Sequence, residues 1–395
     1  MAGESMSELQ TGPIRLGMVG GGNDAFIGGV HRIAARIDGQ FQLVAGALSS
    51  TPEKAQASGR ALGLDPQRSY DDFAIMAERE SARPDGIEAV SIVTPNHVHF
   101  AAACEFLKRG IHVICDKPLT STLEDAHKLA DVAASSDALF ILTHNYTGYP
   151  MIRQAREMIA AGELGELRVV QAEYPQDWLT EAQEDQGNQQ AQWRTDPARS
   201  GAGGCIGDIG THAFNLLSFV TGLQVDTLSA DLHSFVTGRR LDDNAHVMLR
   251  FAGGARGMLW SSQVAPGNEN GLRLRIYGAK GGLEWAQEDP NYLWYTPFGE
   301  PKRLITRNGA GSGPAAARVS RIPAGHPEGY LEGFATIYAE AARAIHARRI
   351  GQAVPDDVIY PTIADGVQGV AFIEACVHSS RENSAWVHLP SAPES

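Results

Sequence analysis

Two stretches of the chain carry residue types suited to proton and charge chemistry. The first, "HVICDKPLT" (112–120), is a short apolar run that ends in Asp116, Lys117 and Pro118. The second, "GDIGTHAF" (207–214), sets Asp208 and His212 four residues apart, so a helix would present carboxylate and imidazole on one face. An imidazole with an ordinary pKa of about 6.5 accepts a proton at neutral pH, and an ammonium can hydrogen-bond an oxygen and stabilise its developing charge. Such a set could deprotonate a hydroxyl. A solvated strand end at Asp116–Pro118 and a purely structural Asp/His pair are the alternatives, and neither stretch decides between them alone.

Residues this far apart need a scaffold that brings them together. The first 145 residues alternate short, β-branched apolar runs with helical patterns: "IRLGMVG" (14–20), "FQLVAGAL" (41–48), "IEAVSIVT" (87–94), "IHVICD" (111–116) and "LFILTHN" (139–145). Near-continuous apolar strands are covered on both faces, and strand–helix alternation implies right-handed βαβ units in a parallel, doubly wound α/β sheet. Lys117 then stands at the carboxyl end of a strand, where ligands of such sheets bind.

The pattern changes after residue 145. A helix within 149–165 is followed by strand-like runs at 167–174, 226–236, 244–251, 255–264, 272–278 and 291–297, several joined by glycine turns such as "FAGGARG". This half reads as α+β with a large, mostly antiparallel sheet, completed by helices at about 327–349 and 361–380. The polar, Gln-rich 181–193 and the Gly/Ala/Pro-rich 307–329 resist assignment to helix or strand. The expected division is a loose tail at 1–13, a dinucleotide-binding domain at 14–145 and an α+β domain at 146–395.

The dinucleotide assignment rests on "VGGGNDAFIGGVH" (19–31), which follows the first strand and opens a helix. Gly20 permits the tight turn, Gly22 and Asn23 lie where backbone amides approach a pyrophosphate, and the helix start adds partial positive charge. The next glycine is Gly28, which enlarges the phosphate loop by three residues over the usual spacing. An acid at the end of the second strand would bond the ribose of NAD; here stand Ser49 and Ser50, with Lys54 beyond, so NAD or NADP is expected and NADP is tolerated. "IVTPNHVHF" (92–100) places Thr94, Pro95, Asn96 and His99 past another strand, as cofactor contacts or as caps.

Composition narrows the classes. A chain of 395 residues exceeds what a single core usually holds, and 43% hydrophobic with 20% charged residues excludes global disorder. A formal charge of −13 with no basic block argues against nucleic acid. No run approaches the roughly 18 apolar residues of a membrane span, and "MAGESMSELQTGP" resembles neither a signal peptide nor an anchor. The four cysteines, Cys104, Cys115, Cys205 and Cys376, are dispersed without a CxxC or zinc spacing, so no metal and a cytoplasmic setting are expected.

The phosphate loop, "TPNHVHF", "CDKPLT" and "GCIGDIGTHAFN" (204–215), in this order and spacing, resemble the Gfo/Idh/MocA oxidoreductases over about 14–389. "YPQDW" and "QWRTDPARSGAGG" are similar to the levoglucosan-dehydrogenase-like and glycoside-oxidising members. The resemblance implies a Rossmann domain, an open-sheet substrate-binding and oligomerisation domain, and an active site between them that oxidises a ring alcohol of a sugar, glycoside or cyclic polyol with NAD or NADP. Carried over residue by residue, it implies His212 as general base, Lys117 as polariser and Asp208 as substrate anchor, with Asp116 in place of the family's Glu before Lys-Pro. By the same resemblance Trp193 and Arg194 close over the cofactor, an exposed loop pair being the alternative; from their positions Asn145 and Tyr146 reach nicotinamide or substrate or simply end the sixth strand, and Gln176, Asp177 and Trp178 could read sugar hydroxyls. His326 could enter the pocket, with a capping role favoured, whereas Phe334 and Tyr338 read as core. A homodimer or homotetramer is implied as well. A keto-sugar reductase and a dinucleotide-sensing regulator without turnover remain the alternatives; retention of Lys117, Asp208 and His212 together speaks against the regulator.

Overall fold

The computed structural model describes residues 12–23 and 25–390, so the tail expected at 1–13 lies, up to residue 11, outside the described residues. Six strands form the first sheet: β1 (Ile14–Gly20), β2 (Phe41–Ala47), β3 (Ser69–Tyr70), β4 (Ala89–Val93), β5 (His112–Cys115) and β6 (Phe140–Leu142). Their order is β3-β2-β1-β4-β5-β6, and every pairing is parallel. Leu16, Met18, Val90, Ile92, Val113 and Ile114 are buried on both faces, which is why these runs carry no polar alternation. The helices α1 (Phe26–Ile37), α2 (Pro52–Ala61), α3 (Phe73–Ser81), α4 (Asn96–Leu107) and α5 (Leu123–Ala134) cover the sheet. Side-chain caps set two of their starts: Asp72 accepts from Ala74 and Ile75 N–H, and Thr122 accepts from Asp125 N–H. The polar pair Ser69–Tyr70 gives β3 no apolar signal, and the sequence did not place it.

Beyond α6 (Pro150–Ala160) and β7 (Leu167–Pro175), the segment 181–200 folds into a single 3₁₀ turn (Gln183–Gln186) and two short helices, α7 (Gln189–Arg194) and α8 (Pro197–Ser200). A π-helical turn at Ile206–Gly210 then runs into α9 (Thr211–Thr221). The remaining strands are β8 (Val225–His233), β9 (Asn244–Phe251), β10 (Arg256–Ser262), β11 (Arg273–Gly278), β12 (Gly281–Ala286), β13 (Tyr292–Pro297), β14 (Arg303–Thr306) and β15 (Val387–His388). With β7 they form a nine-stranded sheet, β14-β13-β12-β11-β7-β10-β9-β8-β15, in which only the β7–β10 pairing is parallel. The sequence missed β12, β14 and β15, the first opening on two glycines and the others four and two residues long.

Within 307–329, otherwise irregular, lies α10 (Pro314–Val319); two long helices, α11 (Tyr330–Arg349) and α12 (Ile363–Arg381), follow. Their packing differs from their place in the chain. Phe334, Ile337, Tyr338 and Ala341 of α11 join Ile14, Leu16, Val30 and Ala34 in one core, so this helix covers the first sheet although residues 146–395 were expected to form the second domain. α12 bridges both: Val367 and Val370 lie in the first domain's core, Phe372 and Cys376 in the second's. Phe372 stacks on Phe214 of α9 with centroids 4.2 Å apart, and truncation to alanine there would cost roughly 3–5 kcal/mol. The helix that carries the chemistry is thus braced against the first domain. All four cysteines are free and buried. Among the described residues no helix is long and apolar enough to cross a membrane.

Candidate active site

The carboxyl edge of the parallel sheet forms one wall of a cleft. β1 ends in Gly20, and Gly20 and the following Gly21 stand at φ of +77° and +70°, a conformation that only glycine adopts without strain. A Cβ on Gly28 would lie 2.4 Å from the Gly21 Cα, so the absent side chain is what lets α1 close onto the loop. A Cβ on Gly22 would lie 2.6 Å from the Leu48 carbonyl oxygen and 2.8 Å from Ser58 Oγ, and Asn23 N–H donates to Ser58 Oγ at 3.1 Å. This commits the Asn23 amide to α2. Ser49 is half-buried and Ser50 exposed at the end of β2, with the Ser49 hydroxyl accepting from Thr51 N–H at 3.1 Å.

Next along the edge, the buried Thr94 hydroxyl and the Asn145 amide nitrogen have no protein partner. Buried polar groups ordinarily have one, so these orphans, with the glycine turn and the start of α1, fit a dinucleotide laid over the sheet. Gly20, Gly22, Thr94 and Asn145 are the residues that could hold it, whereas Asn23 and Ser49 are engaged by α2 and Thr51. Asn96, by contrast, donates to the Ser200 carbonyl at 2.9 Å and ties α4 to α8. His99 has no exposed surface, and its two ring nitrogens face the carbonyls of Pro118 (2.8 Å) and Thr94 (2.9 Å). Its ring joins the ends of β4 and β5, so His99 and Asn96 take positioning contacts at the edge, the structural of the two expected readings.

Asp116 and Lys117 divide the work at the end of β5. Asp116 Oδ1 accepts from Lys117 N–H and from the Thr143 hydroxyl, both at 3.0 Å, which ties together the carboxyl ends of β5 and β6. The Lys117 side chain crosses the cleft and donates to Asp208, contacting Oδ1 at 3.1 Å and the backbone carbonyl.

Asp208 sits in the π-helical turn, not in the regular helix that the four-residue spacing suggested. Such insertions re-aim side chains and are frequent at functional sites. Asp242, next to β9, holds the turn: its carboxylate accepts from Gly204 N–H (2.6 Å), Ile206 N–H (2.9 Å) and the Cys205 thiol (3.1 Å). Asp208 Oδ2 accepts from Gln263 Nε2 at 2.8 Å and pairs with Arg194 Nε at 3.2 Å. Burial alone would raise this carboxyl; Lys117 and Arg194 outweigh it and hold Asp208 ionised, well below the usual carboxylate range. Arg194 also lies over the Trp193 ring at 4.2 Å.

His212 is buried among aromatic rings, with Tyr146 at 4.9 Å, His144 at 5.4 Å and Tyr174 at 6.3 Å between centroids. Burial, then the Lys117 charge and His144, push its pKa well below 6.5. It is therefore a neutral acceptor at physiological pH, and Nδ1 has no hydrogen-bond partner. Burial and Lys117 likewise lower His144 to about 3. Tyr146, Tyr174, Gln176, Trp178 and Asn270 form one hydrogen-bonded group beside the imidazole.

The structure thus gathers Lys117, Asp208, His212, Tyr146 and Arg194 from both halves of the chain. His326 is not among them: its side chain is exposed, and its carbonyl accepts from Arg307. Sequence reasoning missed His144, Tyr174, Asp242, Gln263 and Asn270, all of which act through partners far away in the chain. Among the described residues no group of three His, Cys, Asp or Glu is placed to hold a metal.

Comparison with known proteins agrees with this layout. Residues 14–144 match the oxidoreductase family with NAD-binding Rossmann fold, and 152–284 match the GFO/IDH/MocA C-terminal domain. An oxidoreductase structure from Sinorhizobium meliloti is 66% identical with a TM-score of 0.87, covering 95% of this chain and 99% of that one. An inositol dehydrogenase homolog from Azotobacter vinelandii, complexed with NAD+, is 40% identical with a TM-score of 0.93, covering 96% and 98%. Levoglucosan dehydrogenase from Pseudarthrobacter phenanthrenivorans is 26% identical over 95% of this chain and 98% of that protein. The Rossmann half, the open-sheet half and their order leave one conclusion: this chain is an NAD-binding oxidoreductase of the Gfo/Idh/MocA family.

Proposed function

We propose that the protein is a dehydrogenase that oxidises a ring secondary alcohol of a sugar, glycoside or cyclic polyol. The observation that carries this reading is the meeting of Lys117 with Asp208 at 3.1 Å, beside an imidazole held neutral by its surroundings. NAD, when bound along the glycine edge, supplies the hydride acceptor. Lys117 hydrogen-bonds the reacting oxygen and stabilises its developing charge, an effect worth about 3–4 kcal/mol in comparable sites. His212 takes the hydroxyl proton, and Asp208 anchors the substrate while keeping the ammonium in place. Trp178 offers a flat apolar face to the ring. Since an inositol dehydrogenase homolog and levoglucosan dehydrogenase are both similar to this chain, inositols and anhydrosugars head the candidates. The end of β2 carries no acid to repel a 2′-phosphate, so NADP is also accepted.

A nicotinamide-coupled screen over inositols, aldoses, anhydrosugars and glycosides, with both cofactors and in both directions, tests the reading. Turnover of a ring alcohol supports it; reduction only, of keto-sugars, would reverse the direction. Cofactor binding without any turnover would favour a sensor. Because the folded state lowers the His212 pKa, kcat/KM should hold through pH 6.5 and fall only as the pH drops further.

The outer face of the second sheet leaves Val169, Met248, Met258, Tyr277, Trp294 and Leu304 exposed. A second copy of the chain would cover this face, giving a homo-oligomer; sedimentation as a monomer alone would contradict that.

A further inference from the structure

Tyr146, Gln176 and Trp178 stand out separately in the sequence, and in the structure Asn270, in the link between β10 and β11, joins them. One end of the group fixes its polarity, because an indole N–H can only donate. Trp178 Nε1 donates to Gln176 Oε1 at 3.1 Å, which turns the Gln176 amide nitrogen to Asn270 Oδ1 at 2.8 Å. Tyr174 gives its single proton to the same Oδ1 at 2.7 Å. The 2.5 Å contact between the Tyr146 and Tyr174 hydroxyls is then donated by Tyr146. Asn270 Nδ2 closes the ring toward the Tyr146 oxygen at 3.5 Å. Tyr146 has committed its proton inward, and its oxygen has only a lone pair left to offer. Tyr146 and Tyr174 are 4% and 3% exposed, so solvent has little access to reorganise the group. The Tyr146 ring meets His212 edge-on with centroids 4.9 Å apart, so the ring that carries this acceptor packs against the base.

We propose that Asn270 is a positioning residue for specificity. It holds Tyr146 as a hydrogen-bond acceptor, so the cleft takes a ring with a free hydroxyl beside the one it oxidises: a vicinal diol, in preference to the corresponding ether, fluoride or deoxy compound. This rests on reading the site as an alcohol dehydrogenase and narrows its substrate class. Without Asn270, the Tyr174 proton is free to turn to Tyr146, and the Tyr146 proton is released toward the ligand. The wall then changes from acceptor to donor.

The test is equilibrium binding to the enzyme–NADH complex, followed by nicotinamide fluorescence, with cis-1,2-cyclohexanediol and cis-2-fluorocyclohexanol as probes. Fluorine approaches the size of a hydroxyl but cannot donate. The wild type should bind the diol about tenfold more tightly than the fluoride. Asn270→Leu should bring that ratio to about one or invert it, Asn270→Asp should keep it because the acceptor remains, and Tyr146→Phe should abolish it. Tyr146→Phe also serves if Asn270→Leu does not fold. A merely structural Asn270 would weaken both probes alike and leave the ratio unchanged. That result, equal binding of the probes by the wild type, or no binding of either, would overturn the proposal. Since the readout needs no turnover, a protein that shows these ratios yet oxidises nothing would refute the dehydrogenase reading and leave the acceptor wall standing.

Discussion

The two walls of the cleft recognise their ligands by different means. Along the parallel sheet the groups on offer are backbone at Gly20 and Gly21 and polar atoms with no protein partner, at Thr94 and Asn145. Across the gap, Tyr146, Tyr174, Gln176, Trp178 and Asn270 are bonded to one another, and Asp208 is already met by Lys117, Arg194 and Gln263. In the function proposed above, a cofactor common to many enzymes would meet a wall that leaves its bonding capacity open, and a particular substrate would meet a wall whose donors and acceptors are fixed beforehand. Lys117 belongs to the first wall by chain and to the second by contact.

Variants can separate the walls. The largest effect is expected for Lys117→Ala, which should lower kcat by about 10²–10³-fold while the dissociation constant of NADH stays close to that of the wild type. Steady-state kinetics beside a fluorescence titration checks both, and near-normal turnover would remove Lys117 from the chemistry. Gly28→Val acts on the other wall only. Its side chain must displace Gly21, so NADH affinity should fall by roughly tenfold, with kcat at saturating cofactor largely kept. An unchanged affinity would mean that the glycine loop does not carry the cofactor.

Asp242→Ala should loosen the turn that presents Asp208 and cost about 1–3 kcal/mol in stability, read as a lower Tm. A further change needs no mutation. Burial lowers the His31 pKa to about 4, against about 6.5 in the unfolded chain. Above pH 6.5 neither state carries the proton; between about 6.5 and 4 only the unfolded state binds it, so stability declines as the pH falls, by up to roughly 3 kcal/mol. His112 and His144, lowered by burial to about 4 and about 3, act in the same direction. A Tm that is level across this range would contradict the burial of these rings.

What could be read from the sequence follows the same division. The glycine loop, the strand ends at Thr94 and Lys117, and the parallel sheet all announce themselves within a few residues, because backbone geometry and two-sided burial are local demands. Asp208 and His212 were visible as a pair, yet the π-helical turn between them was not: Asp242, which holds it, lies 34 residues beyond Asp208. Asn270 is 124 residues from Tyr146, and Gln263 is 55 from Asp208. Nothing in the local sequence marks an amide whose partners come from other strands. α11 was assigned to the wrong packing partner for a related reason, since an apolar helix face does not name the sheet it covers.

The most direct test of the whole is a double-mutant cycle on kcat/KM between Lys117→Ala and His212→Gln, with a ring alcohol identified by the screen. If one reacting oxygen is shared by the ammonium and the imidazole, the double variant should be scarcely slower than the worse single one, a coupling of 1 kcal/mol or more within the ~0.5–3 kcal/mol seen for interacting groups. Losses that simply multiply would show that the two groups act independently, and a site shared between the walls would have to be abandoned.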